Sequence, residues 1–128
     1  MNKWIFDPDK PIFRQICEKF RDEIARGNFP PGAKVPSVRD LAVFAGVNPN
    51  TVQRALSDLE DEGILVSRRG DGRYVADDAT VRDKLLAARI RSACDDFIGA
   101  MRVLGLDDRE IERSLGEALR EKSDGKEG

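Results

Sequence analysis

Apolar residues recur at helical spacing in five stretches of this chain and alternate with polar ones in only a few short runs. In the first helical stretch Ile12, Ile16, Phe20 and Ile24 fall at steps of four, joined by Phe13 and Cys17; Pro11 opens it and Gly27 ends it. Val38, Leu41, Ala42 and Ala45 give a second helix one apolar face, and Val52, Ala55, Leu56 and Leu59 do the same for a third. Between the second and third, Gly46 sits where a helix stops and the chain turns. Ser37, with Asp40 three residues on, predicts a capping box for the second helix. Asn48 caps the third, with Pro49 in its first turn, where a missing N–H costs nothing. Two capped helices around a glycine turn predict a helix-turn-helix. On the second of them Asn50, Arg54 and Ser57 point away from the apolar face, with Gln53 on the flank.

The strand signals are short. Residues 3–6 alternate and predict an edge strand, in which Trp4 is a packing residue rather than a ligand platform. Residues 64–66 and 74–76 predict a hairpin around a turn that holds Arg68, Arg69, Gly70, Gly72 and Arg73. A hairpin directly after a helix-turn-helix is a wing. Its arginines, beside a recognition helix, predict phosphate or minor-groove contact rather than a merely solvated loop.

Two further helices follow. Thr80, with Asp83, predicts the cap of a long one whose stripe is Leu86, Ile90, Ala93, Cys94, Phe97, Ile98, Met101 and Leu104. After Gly105, Asp107 and Glu110 predict another capping box, and Ile111, Leu115, Ala118 and Leu119 line the last helix. Two helices cannot enclose a core alone, so this stripe must find cover. A symmetric copy supplies it, with Leu86, Ile90, Cys94, Phe97, Ile98, Met101, Leu104, Ile111, Leu115 and Leu119 as the dimerisation residues. Packing back on the first domain is the alternative.

Composition narrows the chemistry. Charged residues make up 36% of the 128, yet the net charge is only −2, so any nucleic-acid contact rests on local patches. Residues 1–76 carry 12 Lys and Arg against 11 Asp and Glu, and residues 77–128 carry 10 against 13. The absence of histidine removes His-based triads and His-liganded zinc, and no metal site or cofactor is expected. Asp77 with Asp78, and Asp95 with Asp96, are adjacent carboxylates whose side chains diverge on a helix, so they predict caps and solvated faces, not an enzyme. Cys17 and Cys94 both sit in apolar patterns and read as reduced core thiols. No membrane-spanning run and no secretory signal is present, which predicts a cytoplasmic protein without a membrane partner.

The ordered motifs carry a resemblance. Residues 11–16 (Pro-Ile-Phe-x-Gln-Ile), 29–32 (Phe-Pro-Pro-Gly), 36–42 (Pro-Ser-Val-Arg-x-Leu-Ala) and 46–52 (Gly-Val-Asn-Pro-Asn-Thr-Val) come first. Glu62-Gly63 follows, ahead of Arg69-Gly70-x-Gly72. Together they resemble the DNA-binding domain of the GntR family of bacterial transcription regulators over residues 8–76. The resemblance implies that Arg39 contacts DNA and that Arg69 and Gly70 approach the minor groove. Pro49 and Gln53 stand where some members carry arginines, and the Asn-Pro-Asn-Thr-Val form is typical of the YtrA-like branch. That branch has a short two-helix C-terminal part and often controls transport operons.

The expectation is therefore a mainly α protein with a small β-hairpin. A winged helix-turn-helix domain (1–76) precedes a two-helix dimerisation segment (77–122) and a frayed, disordered tail (123–128). It is a repressor that binds double-stranded operator DNA, an inverted repeat, as a homodimer. The candidate DNA contacts are Ser37, Arg39, Asn48, Asn50, Thr51, Gln53, Arg54, Arg69, Gly70 and Arg73. Asn50 and Gln53 are amides suited to adenine N6 and N7. Nothing in the sequence identifies a small-molecule effector. A winged-helix protein-interaction module is the runner-up, favoured by the acidic balance.

Overall fold

A computed structural model describes residues 3–127. Five helices and one hairpin follow in order: α1 (Ile12–Ala25), α2 (Val38–Ala45), α3 (Pro49–Asp61), β1 (Leu65–Arg68), β2 (Gly72–Val75), α4 (Ala79–Val103) and α5 (Asp108–Glu127). The chain forms two compact units, one through Arg89 and one from Ile90, so the division falls inside α4. The first unit therefore reaches beyond the boundary expected at residue 76, and its core takes in Val81 and Leu85 from α4. The Arg89 guanidinium also pairs with Asp22 of α1 at 2.5 Å.

In the first unit the helical periodicity becomes burial. Ile16, Phe20 and Ile24 of α1 meet Leu41 of α2 and Val52, Leu56 and Leu59 of α3 in one core, closed by Leu65 and Val75 of the hairpin. Each such side chain contributes about 1.5–3 kcal/mol by leaving water. Trp4 is buried, edge-on to Phe20 at 5.4 Å and to Phe44 at 5.6 Å, as a packing residue should be. The edge strand expected at residues 3–6 is absent. The open side of β2 is occupied instead by residues 32–35. Gly32 N–H donates to Val75 O (3.0 Å), Val75 N–H to Ala33 O (2.8 Å), and Val35 N–H to Arg73 O (3.0 Å). With that edge filled, the N-terminal segment attaches by its aromatic rings rather than by a ladder.

In the second unit, Ile90–Val103 of α4 turns at Gly105 into α5. The predicted capping box is complete: Glu110 N–H donates to Asp107 Oδ1 (2.9 Å) and Asp107 N–H to Glu110 Oε1 (3.2 Å). At the start of α4 the cap is Asp78, not Thr80; its Oδ1 accepts from the Thr80 N–H at 2.9 Å and the Thr80 hydroxyl at 2.7 Å. Asp78, read with Asp77 as a capping or solvated-face carboxylate, is therefore the cap itself, because its one-residue lead over the helix puts its carboxylate under the open N–H groups. The tail expected from residue 123 is helical to Glu127, because the i→i−4 ladder continues without needing tertiary cover; residue 128 lies outside the described residues. Ile111 is buried, but α4 buries none of its 25 residues fully, and Ile90, Leu104, Leu115 and Leu119 are exposed. Cys94, expected in a core, is exposed as well, while Cys17 is buried.

Candidate nucleic-acid interface

The helix-turn-helix is built by short-range chemistry. Ser37 Oγ accepts from the Asp40 N–H at 3.1 Å and starts α2. Among the described residues the return bond from the Asp40 carboxylate is absent, since Asp is one methylene shorter than the Glu that completes such a box. Gly46 ends α2 at φ +67°, the left-handed region that a Cβ disfavours, and this sets the sharp turn. Asn48 Oδ1 then accepts from the Asn50 N–H at 2.8 Å and Pro49 opens α3. Ser37, Arg39, Asn48, Asn50, Gln53 and Arg54 are exposed, and Thr51 is half-buried.

The predicted contacts separate into two flanks of α3. Gln53 looks toward the hairpin: its Nε2 donates to Ser57 Oγ at 3.2 Å and its Oε1 accepts from Arg73 Nη1 at 3.4 Å. Arg54 lies on the opposite flank, its guanidinium 3.7 Å from the centroid of the Phe13 ring on α1. That flank borders a cleft of about 400 Å³ walled by Phe13, Arg14, Arg21, Asp58 and Glu62, in which Arg21 and Glu62 form a two-bond ion pair.

The expected hairpin wing is present, but its arginines are not equivalent. Its strands pair Leu65 with Val75, Val66 with Tyr74, Ser67 with Arg73 and Arg68 with Gly72, and the turn closes through Asp71 N–H to Arg68 O at 3.0 Å. Gly70 sits at the tip at φ +76°. Arg68 stacks on the Tyr74 ring at 4.0 Å. Asp71 accepts from the Tyr74 hydroxyl at 2.5 Å and pairs with Lys34 at 3.2 Å; these two bonds, Tyr74 first, hold its carboxyl below the usual carboxylate range. Arg73, expected as a DNA-facing cation, is drawn inward. Its side chain is 17% exposed and its Nε donates to Glu60 Oε1 on α3, the oxygen that also accepts from Ser67 Oγ at 2.7 Å. The Arg73 bond, with Ser67 adding to it, pushes the Glu60 carboxyl down against the opposing effect of burial. Only Arg69 and Arg39, of the arginines proposed for DNA contact, have neither an ion pair nor a ring partner among the described residues. Glu60 was missed in the sequence; its one signal is the seven-residue step from Gln53, two turns along the same flank.

This arrangement, a capped and exposed helix beside an arginine-tipped hairpin, agrees with the comparisons to known proteins. Residues 13–75 match the model of the bacterial regulatory proteins of the gntR family. The uncharacterized HTH-type transcriptional regulator YhcF of Bacillus subtilis is 39% identical over 106 residues, 83% of this chain and 88% of that protein. The HTH-type transcriptional repressor YtrA of the same organism is 44% identical over 69 residues, covering 54% of this chain and 53% of its own. A GntR family transcriptional regulator from Listeria monocytogenes superposes with a TM-score of 0.82 at 35% identity, covering 88% of this chain and 98% of that one. The chain therefore belongs to the gntR family of bacterial regulatory proteins and is a winged helix-turn-helix DNA-binding transcriptional regulator.

Proposed function

We propose that the chain is a cytoplasmic repressor that binds an inverted-repeat operator as a homodimer. The N-terminal half of α3 enters the major groove, where Asn50 and Gln53 meet base edges. Arg39 and Arg69 anchor it to phosphates or the adjacent minor groove, with Ser37, Asn48 and Thr51 close to the backbone. The observation that carries this reading is the pairing of a polar, exposed α3 with a wing whose tip arginine, Arg69, has no protein partner among the described residues. Likeness to a repressor, YtrA, supports the direction of control, and the proposed target is a transport operon. The exposed part of the α4 and α5 stripe, Leu86, Ile90, Leu104, Leu115 and Leu119, supports the dimer. Titration of labelled operator and random DNA at several salt concentrations tests it. A steep negative salt slope, with operator bound more tightly than random DNA, is expected; a flat slope would favour a protein-interaction module instead.

A further inference from the structure

Glu60 is a carboxylate on the very helix that must approach a polyanion, which electrostatics alone disfavours. Its place is explained by what it holds. One oxygen collects both hairpin strands, through Arg73 on β2 and the cross-strand neighbour Ser67 on β1. The same guanidinium reaches Gln53 Oε1 at 3.4 Å, and Ser57 holds the other end of that amide at 3.2 Å. Arg73 is thereby a bracket between Glu60 and Gln53, two turns apart on one flank of α3, and Arg69 is left as the wing cation without a partner among the described residues.

We infer that Glu60 is a positioning residue for base readout: through Arg73 it fixes the wing against α3 and orients the Gln53 amide, so that helix and wing meet DNA as one rigid reader. This rests on the proposed operator binding. An amide free to turn over offers donor and acceptor equally to either edge and discriminates little, whereas one held at both ends presents a single pattern. The bracket needs a planar fork that serves two acceptors, which arginine has and lysine lacks.

The test measures the ratio of operator to random-DNA affinity for the full chain, with thermal melts as a folding check. Glu60→Ala should lower the ratio about five- to tenfold, a loss of the size expected for a misplaced base contact, while binding to random DNA stays the same or tightens as a negative charge is removed. Arg73→Lys should lower the ratio to the same degree with random-DNA binding retained, and the double variant should be no worse than either single one. If Glu60→Ala fails to fold, Arg73→Lys decides alone, because a lysine would serve a phosphate anchor and cannot serve the bracket. An unchanged ratio in Arg73→Lys, or losses that multiply in the double variant, would overturn the inference. Wild-type protein that bound operator no better than random DNA would remove the function beneath it, an outcome separable from an intact wild-type preference that the variants share.

Discussion

The guanidinium of Arg54 on α3 lies 3.7 Å from the centre of the Phe13 ring on α1. An arginine that sequence periodicity places simply outward is therefore held on the flank opposite Gln53. We propose that its contribution to DNA binding is one of charge, delivered from a fixed position, rather than of base choice. A cation over an aromatic face at an exposed site is worth about 0.5–1 kcal/mol, so Arg54→Ala should lower stability by that amount in urea denaturation. Binding to operator and to random DNA should weaken together, leaving the preference between them unchanged.

Arg39 stands in the first turn of α2, exposed and without an ion pair among the described residues. Nothing among the described residues competes for it, so its guanidinium is available to a phosphate or a base edge. Arg39→Ala should weaken operator binding by roughly 1–3 kcal/mol and leave the melting temperature alone. Fluorescence anisotropy at physiological salt measures the first and a thermal melt the second; an equal Kd would take Arg39 out of the interface.

The turn between α2 and α3 should be sensitive to changes that touch no DNA. Asn48→Ala removes the acceptor of the Asn50 N–H and should cost about 1 kcal/mol. Gly46→Val places a β-branched residue at φ +67°, where open space around the site offers no relief from backbone strain, and should cost more than the cap. Chemical denaturation that ranked the two in the other order would mean the turn relaxes more readily than its geometry implies.

How much of this was legible beforehand follows from how local each interaction is. Ser37, Gly46, Asn48 and the Asp107–Glu110 box act within a few residues of themselves, and the sequence pattern placed all of them correctly. Burial of Ile16, Phe20 and Leu56 followed from their spacing for the same reason. Apart from the α4 cap, two residues off at Asp78, and the missing Asp40 return bond, the failures are non-local. Residues 3–6 have strand-like alternation, but whether they pair depended on residues 32–35 already holding the edge of β2. Arg73 looked like any other wing arginine until Glu60, 13 positions earlier, claimed it. Opposite charges that distant in sequence carry no period, so no reading of spacing could have joined them.

Burial also sets a limit on alkaline stability. Cys17 is enclosed among α1 and α3 side chains, its thiol donating to Ala55 O at 3.4 Å, and burial raises its pKa from 9.0 to about 11. The unfolded chain then ionises this thiol before the folded one does. The stability tied to the neutral thiol is fully present below pH 9 and is lost as pH rises from 9 toward 11, at a slope of up to about 1.4 kcal/mol per pH unit. Cys17→Ala should lower stability at neutral pH and flatten this decline. Urea melts at pH 8, 9 and 10 would show it, and parallel curves for both proteins would assign the alkaline loss to other groups.

The second unit should answer to concentration rather than to pH. Ile90 is 55% exposed and Leu119 59% exposed, on a pair of helices with little else to bury. Exposed apolar stripes of this kind are covered in soluble proteins by a second copy, most often across a two-fold axis. Such a dimer sets two α3 helices into successive major grooves about 34–36 Å apart, so protection from cleavage should appear as two half-sites one helical turn apart or a multiple of it. Because Ile90 already lies in solvent in the single chain, Ile90→Asp should leave the fold intact and act only on association. Analytical ultracentrifugation should show the native chain as a dimer at micromolar concentration and the variant as a monomer. Losing the tethered second contact should weaken operator binding by ~10²–10⁴ while binding to an isolated half-site is unchanged. Cys94, exposed on the same stripe, supplies an independent readout: alkylation in the native chain should slow as protein concentration rises, and in the variant it should not. Equal alkylation rates at all concentrations, with tight operator binding by a monomer, would separate these helices from dimer formation altogether.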